Sequence, residues 1–85
     1  YTALRFFDIA IVYCTESLDI NPGSWHACNN RALAYLGKGM LNLARRDVLR
    51  GLELNPEADQ LRAVLSLVDE ADIRRPAGPE RVPRS

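Results

Sequence analysis

The sequence predicts an all-α fold of about four helices. Apolar residues recur at steps of three and four through residues 3–73, the spacing that lines one side of a helix. A helix-ending Asn-Pro pair occurs twice, at Asn21-Pro22 and Asn55-Pro56, with the two prolines 34 residues apart. Between them, Gly37-Lys38-Gly39 supplies a turn in which glycine takes the left-handed conformation at little cost. These breaks divide the chain into helices over about 3–20, 24–36, 40–54 and 57–73.

The first helix carries Phe7, Ala10, Cys14 and Leu18 on one face and Phe6, Ile9, Ile11, Val12 and Tyr13 around the rest. A helix this apolar all round is normally covered on more than one side. Either a neighbouring helix of a longer protein or a second copy of the chain satisfies that requirement. The second helix starts at Ser24, whose hydroxyl can accept from a free amide of the first turn, and presents Trp25, Cys28, Ala32 and Tyr35 at helical steps. The third presents Leu41, Ala44, Val48 and Leu52, at the same distances from Pro56 as the first helix's stripe keeps from Pro22. The second and third helices are expected to form an antiparallel hairpin, with Ala32 and Ala44 small enough for the backbones to approach. The fourth has Leu61, Val64, Leu65 and Val68 on one face against Asp59, Arg62, Ser66, Asp69 and Glu70, which reads as a polar-backed cap. Residues 76–85 hold three prolines and no periodicity, so the chain divides into a helical domain over 1–75 and a Pro/Arg-rich tail or linker over 76–85.

At 85 residues there is room for one small core, and 47% hydrophobic residues is the composition of a folded chain. Eleven basic residues balance eleven acidic ones, which removes any global electrostatic case for nucleic acid or an anionic membrane. Arg5, Asp8 and Glu16 interrupt the longest apolar run, well short of the roughly 20 residues a membrane-spanning helix needs. The chain opens on Tyr1 with no secretory pattern, and we expect a piece of a longer, cytoplasmic protein. Cys14 and Cys28, with the one histidine, His26, beside the second, do not supply the four closely paired ligands of a zinc site. Both lie on apolar stripes and are expected to be buried thiols; a disulfide would require their helices to cross closely. No metal or cofactor is expected.

From Cys28 onward the chain reads Cys28-x2-Arg31-Ala32-x2-Tyr35, then Ala44-x3-Val48, then Pro56. With the 34-residue period, this resembles a tetratricopeptide repeat, whose pattern is Trp-x2-Leu-Gly-x2-Tyr, Ala-x3-Phe and Pro. The small residue, the Tyr, the Ala and the Pro stand, while Cys28, Arg31 and Val48 replace the large apolar Trp, Leu and Phe. Arg31 is the main departure, because a guanidinium there must snorkel or find an acid. The resemblance covers about residues 3–73, with one complete repeat flanked by a second helix before it and a first helix after it. It implies a right-handed solenoid of antiparallel hairpins that acts in protein–protein interaction, as an adaptor or scaffold.

In that family the first helices of successive repeats line a concave face that takes an extended peptide or a partner helix. Carried onto this chain, the face would show His26, Asn29, Asn30, Leu33 and Leu36. Asn30 matches a position where the family often has Asn, and its amide can donate and accept at once; Asn29 is expected to be simply solvated. The alternative is a structural role, self-association as a homodimer through Phe6, Ile9, Val12 and Tyr13 of the 3–20 helix. The tail-carboxylate clamp of chaperone-binding members is not matched: Gln60, Arg62, Ala63 and Val64 stand where cations on adjacent turns are expected.

Catalysis is not expected. His26 and Cys28 sit two apart on a helix and point about 200° apart, which keeps a thiol–imidazole pair from meeting. An RNA-binding repeat rests on Arg45, Arg46 and Arg50, but Asp47 and Glu53 lie among them and no exposed aromatic is interleaved for base stacking. A solvent face laced with salt bridges is the expectation there.

Overall fold

The computed structural model describes residues 3–74. The described chain is all-helical: α1 spans Ala3–Ile20, α2 Trp25–Gly37, α3 Leu41–Leu54 and α4 Asp59–Arg74, with no strand among the described residues. The Pro/Arg-rich segment 76–85 lies outside them.

The two Asn-Pro breaks fold alike. After α1, the Asn21 amide donates to Ser17 O at 2.8 Å, Ser24 N donates to Asn21 O at 3.1 Å, and the Asn21 side chain accepts from Gly23 N at 3.2 Å. After α3, Asn55 N donates to Gly51 O at 2.8 Å, Ala58 N to Asn55 O at 3.2 Å, and Glu57 N to the Asn55 side chain at 3.3 Å. An Asn whose side chain accepts from the amide two residues on closes such a turn locally, and the same pattern recurs at a 34-residue interval. The breaks differ in the residue that leads into the next helix. Ser24 Oγ accepts from Ala27 N at 3.3 Å and caps α2. Ala58 holds the corresponding place and has no side-chain oxygen to offer, yet α4 begins at Asp59, the same point of the period as Trp25, and not at 57 as expected.

The α2–α3 connection closes differently. Met40 N donates to Tyr35 O at 2.9 Å and Gly39 N to Leu36 O at 3.0 Å, with Gly39 at φ +79°. This paired closure satisfies the last carbonyls of α2 and needs a left-handed residue at Gly39.

Successive helices pack on one another, and α2 also packs on α4, whereas α1 and α3 do not pack together. Early residues of one helix meet late residues of the next. Phe7 lies against Gly37 and Thr15 bonds Arg31; Cys28 Cβ lies beside Gly51; Arg45 bonds Asp69 and Gly51 faces Leu61. The core is centred on α2, α3 and α4: Ala32, Leu41, Ala44, Val48, Ala58, Leu61, Val64 and Val68 are buried together, with Trp25, Tyr35, Leu36, Leu52 and Leu65 packed around them. Ala32 and Ala44 are both fully buried, as their small size requires where two backbones approach. Outside this cluster, α1 contributes the buried Cys14.

Candidate protein-interaction surface

Arg31, the departure from the repeat pattern, finds its acid. Its Nε donates to Asp47 Oδ2 and its Nη2 to Asp47 Oδ1, both at 2.8 Å, a two-pronged charge-assisted pair. Its Nη1 donates to Thr15 Oγ1 at 3.0 Å, and the guanidinium lies 5.9 Å from the Tyr35 ring centroid. Hydrogen bonding to Asp47 raises the Arg31 pKa above its ordinary value, against the opposing effect of burial. Asp47 therefore corrects the expectation for α3: it is buried and turned toward α2, not part of a solvent face with Arg46 and Arg50. The sequence holds a signal for this, since Ala44, Asp47, Val48 and Gly51 share one helical side and all four are buried.

Two arginines of α3 also meet acids. Arg45 Nη2 bonds Asp69 Oδ1 at 2.8 Å, with Asp72 Oδ2 at 3.9 Å, and Arg50 Nη1 bonds Glu53 Oε1 at 3.2 Å. Arg31, Tyr35, Leu43, Arg46, Asp47 and Arg50 line a cleft of about 420 Å³ between α2 and α3. Asp47 occupies the Nε–Nη2 edge of Arg31 and Thr15 takes Nη1, so the charge of that guanidinium is already paired within the chain.

The five residues assigned to the α2 face do not stay together. His26, Asn30 and Leu33 are exposed along one stripe, and the His26 ring stacks on Trp25 with centroids 3.7 Å apart. Leu36 turns in and packs against the core, and Asn29 is half-buried. Asn29 is not merely solvated as expected: its Oδ1 is sealed from water and has no hydrogen-bond partner among the described residues.

On α1, Phe6, Ile9, Val12 and Tyr13 are all exposed, at between 58% and 73% of their full surface. Arg5, Asp8, Ile9, Val12, Tyr13 and Glu16 line a groove of about 500 Å³ along the outer side of this helix. Shifted by 34 residues, Ile9, Val12, Tyr13 and Glu16 fall on Leu43, Arg46, Asp47 and Arg50, the four α3 residues of the α2–α3 cleft. The α1 groove is thus the place where, one period later, α2 lies against α3.

No family model, curated protein or solved structure matches the chain.

The thiols of Cys14 and Cys28 are free and buried. Burial pushes both pKa values up; Arg31 pulls that of Cys14 down, and Asp47 adds to the rise at Cys28. Such thiols are protonated and poor nucleophiles at neutral pH. The described residues contain no group of three or more His, Cys, Asp or Glu able to hold a metal ion, and no helix long and apolar enough to cross a membrane.

Proposed function

We propose that the chain is a protein–protein interaction module, an adaptor or scaffold unit. It is built from antiparallel helical hairpins in a right-handed, tetratricopeptide-like succession. The 34-residue recurrence of the Asn-Pro turn, with the same hydrogen bonds in both copies, supports the repeat reading. The observation that carries the interaction reading is the outer face of α1, where Ile9, Val12 and Tyr13 line one groove and Phe6 also stands in water. Contiguous apolar surface of that kind marks a docking site. Helix-on-helix packing, with charged residues at the rim, is the mode such a stripe suits. The exposed α2 stripe of His26, Asn30 and Leu33 offers a second, more polar contact for an extended peptide. Nucleic acid is the weaker reading, since Arg45 and Arg50 already meet carboxylates. Two buried, reduced cysteines fit a cytoplasmic setting.

Photo-crosslinking from positions 12 and 30 in cells that express the protein tests this. Protein adducts from position 12 are expected, with fewer from position 30. Adducts from position 30 alone would move the docking site to α2, and adducts from neither would remove the interaction reading.

A further inference from the structure

Resting on that reading, we infer that the occupant of the α1 groove is a second copy of this chain, paired antiparallel through α1. The groove residues are complementary to themselves. A two-fold axis midway between residues 5 and 16 sets Arg5 of each copy level with Glu16 of the other, and Ile9 level with Val12 between them. An isologous interface requires this kind of self-matching surface. Three turns of helix separate the two ion pairs, and both ends are closed by opposite charges. Parallel pairing sets Arg5 against Arg5 and Glu16 against Glu16, so the charges select one orientation.

The flanks divide in the same way. On an ideal helix, Phe6 and Tyr13 lie to one side of the Ile9–Val12 line and Asp8 lies to the other. Antiparallel pairing brings Phe6 of one copy beside Tyr13 of the other, an aromatic contact made twice. Asp8 is held by Lys38 of its own chain, which offsets the charge on the flank where the two copies' Asp8 residues approach. An unrelated partner helix would not need charges at 5 and 16 that answer each other across a two-fold.

Sedimentation across a wide range of concentration, on the wild-type chain and on two charge reversals, tests the pairing. The wild type should pass from monomer to dimer as concentration rises. Arg5→Glu and Glu16→Arg should each weaken the dimer about tenfold, since each turns two attractive pairs into repulsive ones. An equimolar mixture of the two variants should restore association, because one copy then carries acids at positions 5 and 16 and the other carries bases. Val12→Glu, which puts a charge in the middle of the seam, should abolish the dimer while circular dichroism keeps its helical signal. A wild type that stays monomeric throughout overturns self-pairing and leaves the broader interaction reading to the crosslinking result. A dimer indifferent to both reversals, or a mixture no tighter than its components, overturns the antiparallel register.

Discussion

The outer side of α1 and the matching side of α3 hold the same place in the 34-residue period and meet opposite surroundings. On α3 that side carries Arg46, Asp47 and Arg50; α2 lies across it, and Asp47 is buried in a two-pronged pair with Arg31. On α1 it carries Val12, Tyr13 and Glu16, and no helix of the described chain covers it. On α3 the buried member of this side is the charged Asp47, with Arg46 and Arg50 facing outward. On α1 the bare side is largely apolar, which at Asp47 and Tyr13 inverts the ordinary relation between burial and side-chain type. At this position α3 is joined to its neighbour by a specific charge pair, whereas α1 is left with the non-directional adhesion of apolar surface. The first fixes geometry within a chain; the second suits association between chains.

The largest effect on the α3 side should come from removing one member of the pair. Arg31→Ala strands Asp47 in a site from which water is largely excluded and should cost about 3–5 kcal/mol in a urea unfolding titration. Replacing Arg31 and Asp47 together by Leu should recover most of that loss, because two well-packed apolar residues carry no uncompensated charge. Equal losses in the single and double variants would show that the pair acts through its packing and not its charge.

Backbone approach separates the two helices at a smaller scale. A Cβ at Gly51 would lie 2.8 and 2.9 Å from the two Leu61 methyl groups, and Leu61 is fully buried. Gly51→Ala should therefore destabilise the fold by about 1–3 kcal/mol, before a helix-propensity gain of up to about 1 kcal/mol. Ser17, the α1 residue one period earlier, already bears a Cβ and is half-buried. Ser17→Ala should change stability by no more than about 0.5 kcal/mol. Thermal melts of the two variants side by side measure the difference, and a Gly51→Ala protein as stable as the wild type would mean that Leu61 yields freely.

The smallest effect is alkaline. Cys14 and Cys28 have folded pKa values raised from 9.0, so their contribution to stability is complete below about pH 9. It is lost as pH rises further, because the unfolded chain releases those protons first. Melting temperature should decline above that pH more steeply in the wild type than in a Cys14→Ala, Cys28→Ala protein. Parallel declines would exclude the thiols as the cause.

The helices are legible in the sequence because their punctuation is local: Ser24, the two Asn-Pro pairs and Gly39 each act within a few residues of themselves. The start of α4 at Asp59 is legible from the period itself, since it lies 34 residues after the start of α2 at Trp25. The α2 site is less legible. Asn29 and Leu36 lie on the same broad helical side as His26, Asn30 and Leu33 but at one edge of it, where Leu36 packs on the core and Asn29 is half-buried. Asp47 is hard to place for a related reason. Its neighbours Arg46 and Arg50 face outward, and a single helical step toward Ala44 and Val48 makes it the acid that Arg31 requires.

Arg31 also bears on how the molecule comes apart. In stacked-repeat proteins, stability is approximately a sum over units and their nearest-neighbour interfaces, so an end can fray alone. Here one guanidinium bonds Thr15 on α1 and Asp47 on α3, two helices that do not pack on each other. One side chain of α2 thus ties α1 to α3, and loss of α1 weakens the hold on α3. Hydrogen exchange should find the middle amides of α1 and α3 opening in one cooperative unit, with those of α3 opening separately once Arg31 is replaced.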